Sequence, residues 1–272
     1  MTEQSERAAR FLELHRQGRP LLLANAWDAG SAKLLAHAGF RALASTSSGY
    51  AASLGRLDYG VTREEALTHA ATLVTAAGDV PVSADLEDCF APDTEGVAET
   101  VGGALAAGLA GCSIEDWNPR DGELYDPAHA AERVAAAAEV AHGGPVRLVL
   151  TARAENYLRR NPDLGDTIER LRAYEQAGAD VLFAPGLDRP EELRELLAAL
   201  ERPVNVLARP TTPPVAELAE LGVARVSVGG AFAFAAYAGA LEAGRELLEA
   251  GTYDYLQSAM AGAKAARSAF AD

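Results

Sequence analysis

Short apolar runs alternate along the whole chain with longer stretches in which apolar residues recur at helical spacing. Apolar runs bounded by turn residues predict strands, and the longer period predicts amphipathic helices. The predicted helices are clearest over 64–77, 128–141 and 166–177. The eight predicted strands cover 21–27, 42–47, 81–87, 111–116, 146–153, 180–185, 203–208 and 225–229.

A glycine stands between helix and strand at several of these junctions, as in Ala-Gly-Phe at 38–40 and Ala-Gly-Ala at 177–179. Such a glycine ends a helix in the left-handed conformation and starts a short loop to the next strand. Eight consecutive strand–helix units with apolar strands favour an α/β fold, a (β/α)8 TIM barrel formed as a single domain over 1–272. A doubly wound open sheet is the alternative.

The two ends of the chain carry more helix than a barrel requires. A helix over 5–17 is predicted to pack across the barrel, and residues 231–270 hold additional C-terminal helices. The first part, 231–241, is apolar almost all round, which predicts burial on more than one side. We expect this segment to contact another subunit.

Composition and charge narrow the class of protein. The 272 residues are 49% hydrophobic and carry a net charge of −15. That charge argues against nucleic acid or an anionic membrane as a partner. The only cysteines, Cys89 and Cys112, predict no disulfide framework, and we find no signal peptide or membrane span. A cytoplasmic location is therefore expected.

Acidic residues lie at the ends of two consecutive predicted strands, and an arginine lies at the end of the next strand. Carboxylates beside a core are costly unless they are paired or bind a cation. The ends of parallel strands meet at the mouth of a barrel, where active sites lie. Because hard cations prefer oxygen ligands, Asp58, Asp85, Glu87 and Glu115 together predict a Mg²⁺ or Mn²⁺ site. For any one of them, a helix cap or an arginine partner is the alternative.

Several short motifs follow one another along nearly the whole chain. They are Asn25-Ala26-Trp27-Asp28, Ser47-Ser48-Gly49-Tyr50, Leu57-Asp58, Ala84-Asp85-Leu86-Glu87-Asp88, Ile114-Glu115-Asp116, Thr151-Ala152-Arg153 and Pro203-Val204-Asn205. In this order the motifs resemble those of the isocitrate lyase/phosphoenolpyruvate mutase superfamily.

The resemblance implies a division of labour among these residues. Asp85 would be the most direct Mg²⁺ ligand, with Asp58, Glu87 and Glu115 acting mainly through water. The residues implied in substrate binding are Trp27, Ser48, Gly49, Tyr50, Asp85, Arg153 and Asn205. The family acts on 2-oxo and 2-hydroxy acids through an enolate whose charge the cation and Arg153 would neutralise. The resemblance also implies a homotetramer of dimers that exchange the last barrel helix.

The loop over 117–125 departs from the family pattern. The carbon–carbon lyases carry a cysteine there within a Lys-Lys/Arg-Cys-Gly-His type motif, whereas this loop has no Cys, Lys or His. Isocitrate and 2-methylisocitrate cleavage by the usual mechanism is not expected, and the lysine pattern of the phosphonate mutases is also absent. Glu123, Tyr125 or Arg120 could replace the missing acid/base group.

These observations predict a Mg²⁺-dependent enzyme of the lyase, decarboxylase or hydrolase type, acting on a small 2-oxo or 2-hydroxy (di)carboxylic acid. The residues predicted to be catalytic are Arg153, Glu115, Tyr50 and Glu123. Phosphonopyruvate or phosphoenolpyruvate chemistry is one alternative. The other alternative is a non-catalytic protein that binds a 2-oxo acid and has lost the proton-transfer function of the 117–125 loop.

Overall fold

The computed structural model describes residues 2–16 and 18–271, and within them eight parallel strands close into a barrel. This confirms the predicted (β/α)8 fold. Every predicted strand is present, although each is shorter than predicted. The barrel strands are β1 (Leu21–Asn25), β2 (Leu43–Ala44), β3 (Val82–Asp85), β4 (Gly111–Glu115), β7 (Val149–Arg153), β8 (Val181–Phe183), β9 (Val204–Leu207) and β10 (Arg225–Ser227). The pairing of β1 with both β2 and β10 completes the closure.

Eleven helices and a small hairpin complete this part of the chain. The hairpin, β5 (Trp117–Asn118) and β6 (Glu123–Leu124), is antiparallel and follows β4. The helices are α1 (Glu3–Leu14), α2 (Ala29–His37), α3 (Ser47–Ser53), α4 (Arg63–Ala77), α5 (Thr94–Ala106), α6 (Pro127–His142), α7 (Leu164–Gln176), α8 (Pro190–Ala199), α9 (Val215–Leu221), α10 (Ala231–Glu249) and α11 (Leu256–Ala269).

Local capping explains where the second strand ends. The prediction placed a strand over 42–47, but α3 begins at Ser47 because Thr46 caps it by accepting a hydrogen bond from the Gly49 N–H at 3.3 Å. A side-chain oxygen at this position satisfies one of the N–H groups that a helix leaves unpaired. The polar residues after β2 therefore start a helix at the barrel mouth.

Helix α1 covers the end of the barrel where the strands begin. Phe11 is fully buried there, and the Gln4 side chain donates to the carbonyls of Leu105 and Leu109. A side chain at Gly111 would meet the Val149 carbonyl at 2.7 Å and the Phe11 ring at 2.8 Å, so only glycine fits. The predicted extra N-terminal helix is present, and residue 17 at its predicted end lies outside the described residues.

The two C-terminal helices leave several large apolar side chains exposed in the single chain. Phe234 on α10 is 50% exposed, Leu241 is 56% exposed and Met260 on α11 is 64% exposed. The sequence predicted that 231–241 is buried by contact with another subunit, and a single chain does not test this, so it stays a prediction. No helix in the described ranges has the length and apolar character needed to cross a membrane.

Candidate active site at the barrel mouth

A cavity of about 180 Å³ runs from the carboxyl ends of the strands into the barrel. Side chains two residues apart on one strand face the same side, so several strands contribute one residue at the mouth and one deeper. Ser83 and Asp85 do this on β3, and Thr151 and Arg153 do it on β7. The predicted residues that line the cavity are Ser48, Asp58, Asp85, Arg153 and Asn205.

Arg153 is the cation around which the mouth is organised. Its Nη1 lies 2.9 Å from Asp85 Oδ1, and its Nη2 lies 3.1 Å from Glu115 Oε2 and 2.6 Å from Glu155 Oε1. Burial works to lower the pKa of Arg153, but the charges of Glu155, Glu115 and Asp85 prevail and raise it above its usual range. The guanidinium is therefore permanently charged and held in one orientation.

Glu115 is buried and bound by groups from three different segments. Besides Arg153, the Tyr59 hydroxyl donates to Glu115 Oε1 at 2.6 Å, and Arg159 donates to the same hydroxyl. The Arg159 guanidinium also lies over the Trp117 ring, 4.1 Å from its centroid. Burial raises the pKa of Glu115 despite the opposing charge of Arg153. The carboxyl positions Arg153 and does not border the cavity.

Asp85 presents its carboxylate at the rim of the cavity. Its Oδ2 accepts the Ser47 N–H at 3.2 Å, which ties the end of β3 to the start of α3. Asp58 lies in the loop that follows α3, and the Ser47 side chain hydrogen-bonds to its carboxyl. Partial desolvation, followed by the charge of Asp85, raises the pKa of Asp58. Both carboxylates thus line the same polar cavity.

The segment after Asp85 has an unusual backbone. Glu87, Cys89 and Phe90 all have positive φ angles, of 52°, 58° and 57°. Non-glycine residues adopt this conformation at an energetic cost, and such strain clusters at functional sites. The turn directs Glu87 into a narrow cleft beside Tyr50 and His69, and this cleft shares the wall at Asp85 with the cavity.

Burial and neighbouring negative charges perturb the pKa of Glu87. Burial, and then the charges of Asp85, Asp58 and Asp88, raise the pKa of Glu87 to about 9. In the described part of the chain, no three His, Cys, Asp or Glu side chains converge as a formed metal site. The hard oxygen donors and their mutual repulsion nevertheless fit a divalent cation, so the metal set of Asp58, Asp85, Glu87 and Glu115 stays a prediction.

The loop over 117–125 forms the β5–β6 hairpin and is fastened to the strained segment. Arg120 donates to Asp88 Oδ2 and to the Tyr125 hydroxyl, and that hydroxyl lies 3.1 Å from Asp88 Oδ2. Glu123 is exposed on the hairpin and does not line the cavity. The three candidate acid/base residues therefore lie outside the cavity in this conformation, and a catalytic role for Glu123 stays a prediction.

Three more residues predicted at the site pack beside the cavity. The Tyr50 ring stacks on His69 with centroids 3.7 Å apart, and His69 Nε2 donates to the Trp27 carbonyl at 3.1 Å. A side chain on Gly49 would meet Thr46 at 2.5 Å and Trp27 at 3.3 Å. Tyr50, Trp27 and Gly49 thus support the wall that presents Ser48.

Sequence reasoning missed several residues that build the site. Asn25 was quoted only within a motif, yet its amide donates to the Ser45 carbonyl and accepts from the N–H groups of Val228 and Gly229. Tyr59 and Arg159 hold Glu115, and the buried Arg133 donates to the carbonyls of Asp88 and Ala91. An arginine inside the predicted helix over 128–141 was the available signal for the last of these.

Comparison with known proteins decides the family. The profile of the phosphoenolpyruvate phosphomutase family matches residues 11–248. The chain belongs to the isocitrate lyase/phosphoenolpyruvate mutase superfamily. It is 36% identical to an uncharacterized protein of Mycobacterium tuberculosis over 259 residues, which are 91% of this chain and 95% of that one.

Two other proteins resemble the chain along most of its length. A Burkholderia cenocepacia protein described as a candidate lyase or mutase superimposes with a TM-score of 0.90 at 46% identity, covering 94% of this chain and 92% of that one. The 2-methylisocitrate lyase of Halalkalibacterium halodurans is 30% identical over 208 residues, 74% of this chain and 67% of that one. The superfamily thus contains both lyases and mutases. Membership alone does not identify the reaction of this chain, which has to be inferred from the residues of its own site.

Proposed function

We propose that this superfamily member is an enzyme that acts on a small 2-oxo or 2-hydroxy carboxylic acid and makes or breaks a carbon–carbon bond through an enolate. The observation that carries the proposal is Arg153, a permanently charged guanidinium at the rim of a small polar cavity. It is oriented by Asp85, Glu115 and Glu155. Preorganised charge of this kind stabilises an oxyanion that develops during reaction.

The residues around Arg153 suit a carboxylate and an adjacent oxygen. The hydroxyl of Ser48 borders the cavity and lies 3.2 Å from that of Thr46. Arg153 would bind the 2-oxo group, and the Ser47–Ser48 turn would donate to the acid carboxylate. We propose that Asp85 and Asp58, with Glu87 and Glu115 through water, hold Mg²⁺ or Mn²⁺. When bound, this cation would add positive charge where the enolate oxygen develops.

One observation favours a second candidate, a 2-oxo acid binding protein without turnover. Arg120 and Tyr125 are engaged with Asp88, and Glu123 faces solvent. No side chain of the 117–125 hairpin lines the cavity in this conformation. An enzyme would need the hairpin to rearrange, or would take its proton from another group.

Proton NMR of the purified protein with a panel of acids separates the two candidates. The panel holds oxaloacetate, 2-oxoglutarate, 2,3-dimethylmalate, 2-methylisocitrate and phosphonopyruvate, each with Mg²⁺ and again with EDTA. Metal-dependent product from one acid, lost in Asp85→Asn and retained in a surface control such as Glu95→Gln, supports the enzyme. Saturation transfer without product supports the binding protein. If no acid gives a product and no acid binds, both candidates are contradicted.

We also propose that the chain assembles as a homotetramer of dimers through α10 and α11. Exposed apolar side chains on both helices support this, among them Phe234, Leu241 and Met260. Light scattering coupled to size-exclusion chromatography would contradict it by showing a monomer. We further propose a cytoplasmic location, because the two buried cysteines remain free thiols.

A further inference from the structure

The first turn of α10 packs against the first turn of α3. Ala233 is the only buried residue among the 19 of α10, all of which the structure describes. It lies against Gly49, because a methyl group placed on Gly49 would come within 3.2 Å of the Ala233 Cβ atom. Gly49 directly follows Ser48, which lines the cavity. The buried anchor of α10 therefore rests on the turn that carries Ser48.

Gly230 forms a second contact between these two turns. It directly precedes α10 and lines the cavity together with Ser48. A methyl group placed on Gly230 would lie 2.6 Å from Ser48 Oγ and 2.7 Å from the Phe234 ring. Both distances are well below van der Waals contact, so a neighbour would have to move. The Ser48 hydroxyl can keep its position because residue 230 has no side chain.

The backbone does not require glycine at position 230. The φ and ψ angles of Gly230 are −73° and −2°, a conformation that most residues adopt. Glycine is also not the strongest residue for starting a helix, since Asn, Asp and Ser accept hydrogen bonds from the first free N–H groups. Helix α10 has no side-chain cap of this kind. The space needed by Ser48 therefore explains the glycine better than the start of the helix does.

The Ser48 hydroxyl is held from two sides. Its oxygen lies 3.2 Å from Thr46 Oγ1 on one side and beside Gly230 on the other. A serine side chain has three staggered rotamers, and close packing limits which of them is populated. A hydroxyl fixed in this way binds a carboxylate without first losing rotational freedom. A shift of the first turn of α10 would remove one of these two constraints.

We propose that Gly230 and Ala233 are positioning residues: through them, the first turn of α10 holds the Ser48 hydroxyl where it binds the acid carboxylate. The inference rests on the proposed function, because it concerns the same site. Neither residue has a polar side chain to offer to a ligand, so both act through Ser48 and Gly49. The helix proposed to contact another subunit thereby also sets the affinity of the site for its acid.

Titration of the full chain with pyruvate in the presence of Mg²⁺, followed by saturation-transfer NMR, tests this role. Gly230→Ala is expected to weaken pyruvate binding about 10- to 150-fold, which corresponds to one lost hydrogen bond to a charged group. The matched control is Gly239→Ala in the same helix, where an added methyl group has open space. This control should bind pyruvate as the wild type does. Equal affinity in the two variants would overturn the proposal.

A double-mutant cycle shows whether Gly230 acts through Ser48. In a Ser48→Ala background the hydroxyl is absent, so Gly230→Ala should cause no further loss of affinity. Two losses that simply add would overturn the proposal.

Kinetics separate positioning from a loss of stability. For any acid that is converted, the KM of Gly230→Ala should rise while kcat stays unchanged, because the carboxylate is bound equally before and during the reaction. A fall in kcat with an unchanged KM would indicate fewer folded molecules and would count against the positioning role.

Crystal structures separate this inference from the proposed function. If the wild type binds none of the acids, the proposed function falls, and Ser48 Oγ is still expected to move away from Thr46 Oγ1 in Gly230→Ala. An unmoved hydroxyl overturns the positioning role. If pyruvate binds equally well to the wild type and to folded Gly230→Ala, the acid site stands and the positioning role falls.

Wild-type crystals soaked with pyruvate replace the variant if Gly230→Ala does not fold. Ser48 Oγ should then donate to the pyruvate carboxylate in the rotamer that it has beside Gly230. Binding with the hydroxyl in any other rotamer overturns the proposal.

Discussion

Replacing Arg133 by methionine should destabilise the protein strongly and release the strained segment after β3. Arg133 is 1% exposed on α6, and its Nη2 donates to the Asp88 carbonyl and, at 2.8 Å, to the Ala91 carbonyl. Its guanidinium also stacks on the Tyr125 ring at 4.0 Å. The Arg133→Met variant keeps much of the volume but leaves these buried carbonyls without a donor.

The size of the effect follows from those contacts. Hydrogen bonds to a charged group contribute about 1.5–3 kcal/mol each, so the two bonds from Nη2 together suggest a loss of about 3–6 kcal/mol. Removing one member of a buried charged network costs about 3–5 kcal/mol, which agrees. At about 2–4 °C per kcal/mol, Tm should fall by about 6–24 °C.

Urea unfolding followed by circular dichroism measures the change. The matched control is Arg172→Met, because Arg172 also donates to a backbone carbonyl, that of Ala199, but is exposed. We expect the control to lose less than about 1 kcal/mol. An equal, small loss in both variants would refute the reasoning, since the buried carbonyls would then have found other partners.

Three further predictions concern the floor and the rim of the barrel. Burial and the charge of Arg225 hold the pKa of His15 at about 3 in the folded protein, below its ordinary value of 6.5. As the pH falls, the unfolded chain therefore binds a proton at His15 before the folded protein does. Stability is therefore complete above pH 6.5 and lost as pH falls towards 3, and His15→Gln should flatten this slope in urea titrations by up to about 1.4 kcal/mol per pH unit. Asn25→Ala removes an acceptor for two backbone N–H groups, and should cost about 2–4 kcal/mol, measured by urea unfolding; a loss below about 0.5 kcal/mol would contradict the role assigned to it. Gly49→Ala must displace a neighbour that lies 2.5 Å from the new methyl group and should lower Tm, whereas Gly102→Ala, with open space in helix α5, should not.

The sequence was sufficient for the barrel because barrel formation depends on local patterns. Apolar runs and helical spacing repeat eight times, and each repeat is independent evidence for the same topology. The strands were overestimated in length because capping decides their ends. The residues at 45–47 show this, since the Thr46 side chain starts a helix where an apolar run alone predicts more strand.

The site was only partly predictable, because its contacts join residues that are distant in sequence. The positions of Asp85, Glu115 and Arg153 follow from their places at strand ends. The hydrogen bond from Tyr59 to Glu115 spans 56 residues, and the contact between Arg225 and His15 spans 210. No periodicity encodes such pairs. The predicted burial of 231–241 stays untested for another reason, since the apolar residues of a helix do not specify whether the same chain or another subunit covers them.

The period of two along the strands connects the mouth of the barrel with its floor. On β3, β4 and β7 a hydroxyl residue comes first and a charged residue two positions later, as in Thr151 and Arg153. On β10 the order is reversed, so that Arg225 is deep and Ser227 lies nearer the mouth. The reversal puts one positive charge where the other three strands place hydroxyls. A barrel filled for stability alone would place an apolar side chain there, because an unpaired buried charge weakens the fold. Arg225 is instead retained through its three neutral hydrogen-bond partners, Asn205, Thr151 and His15.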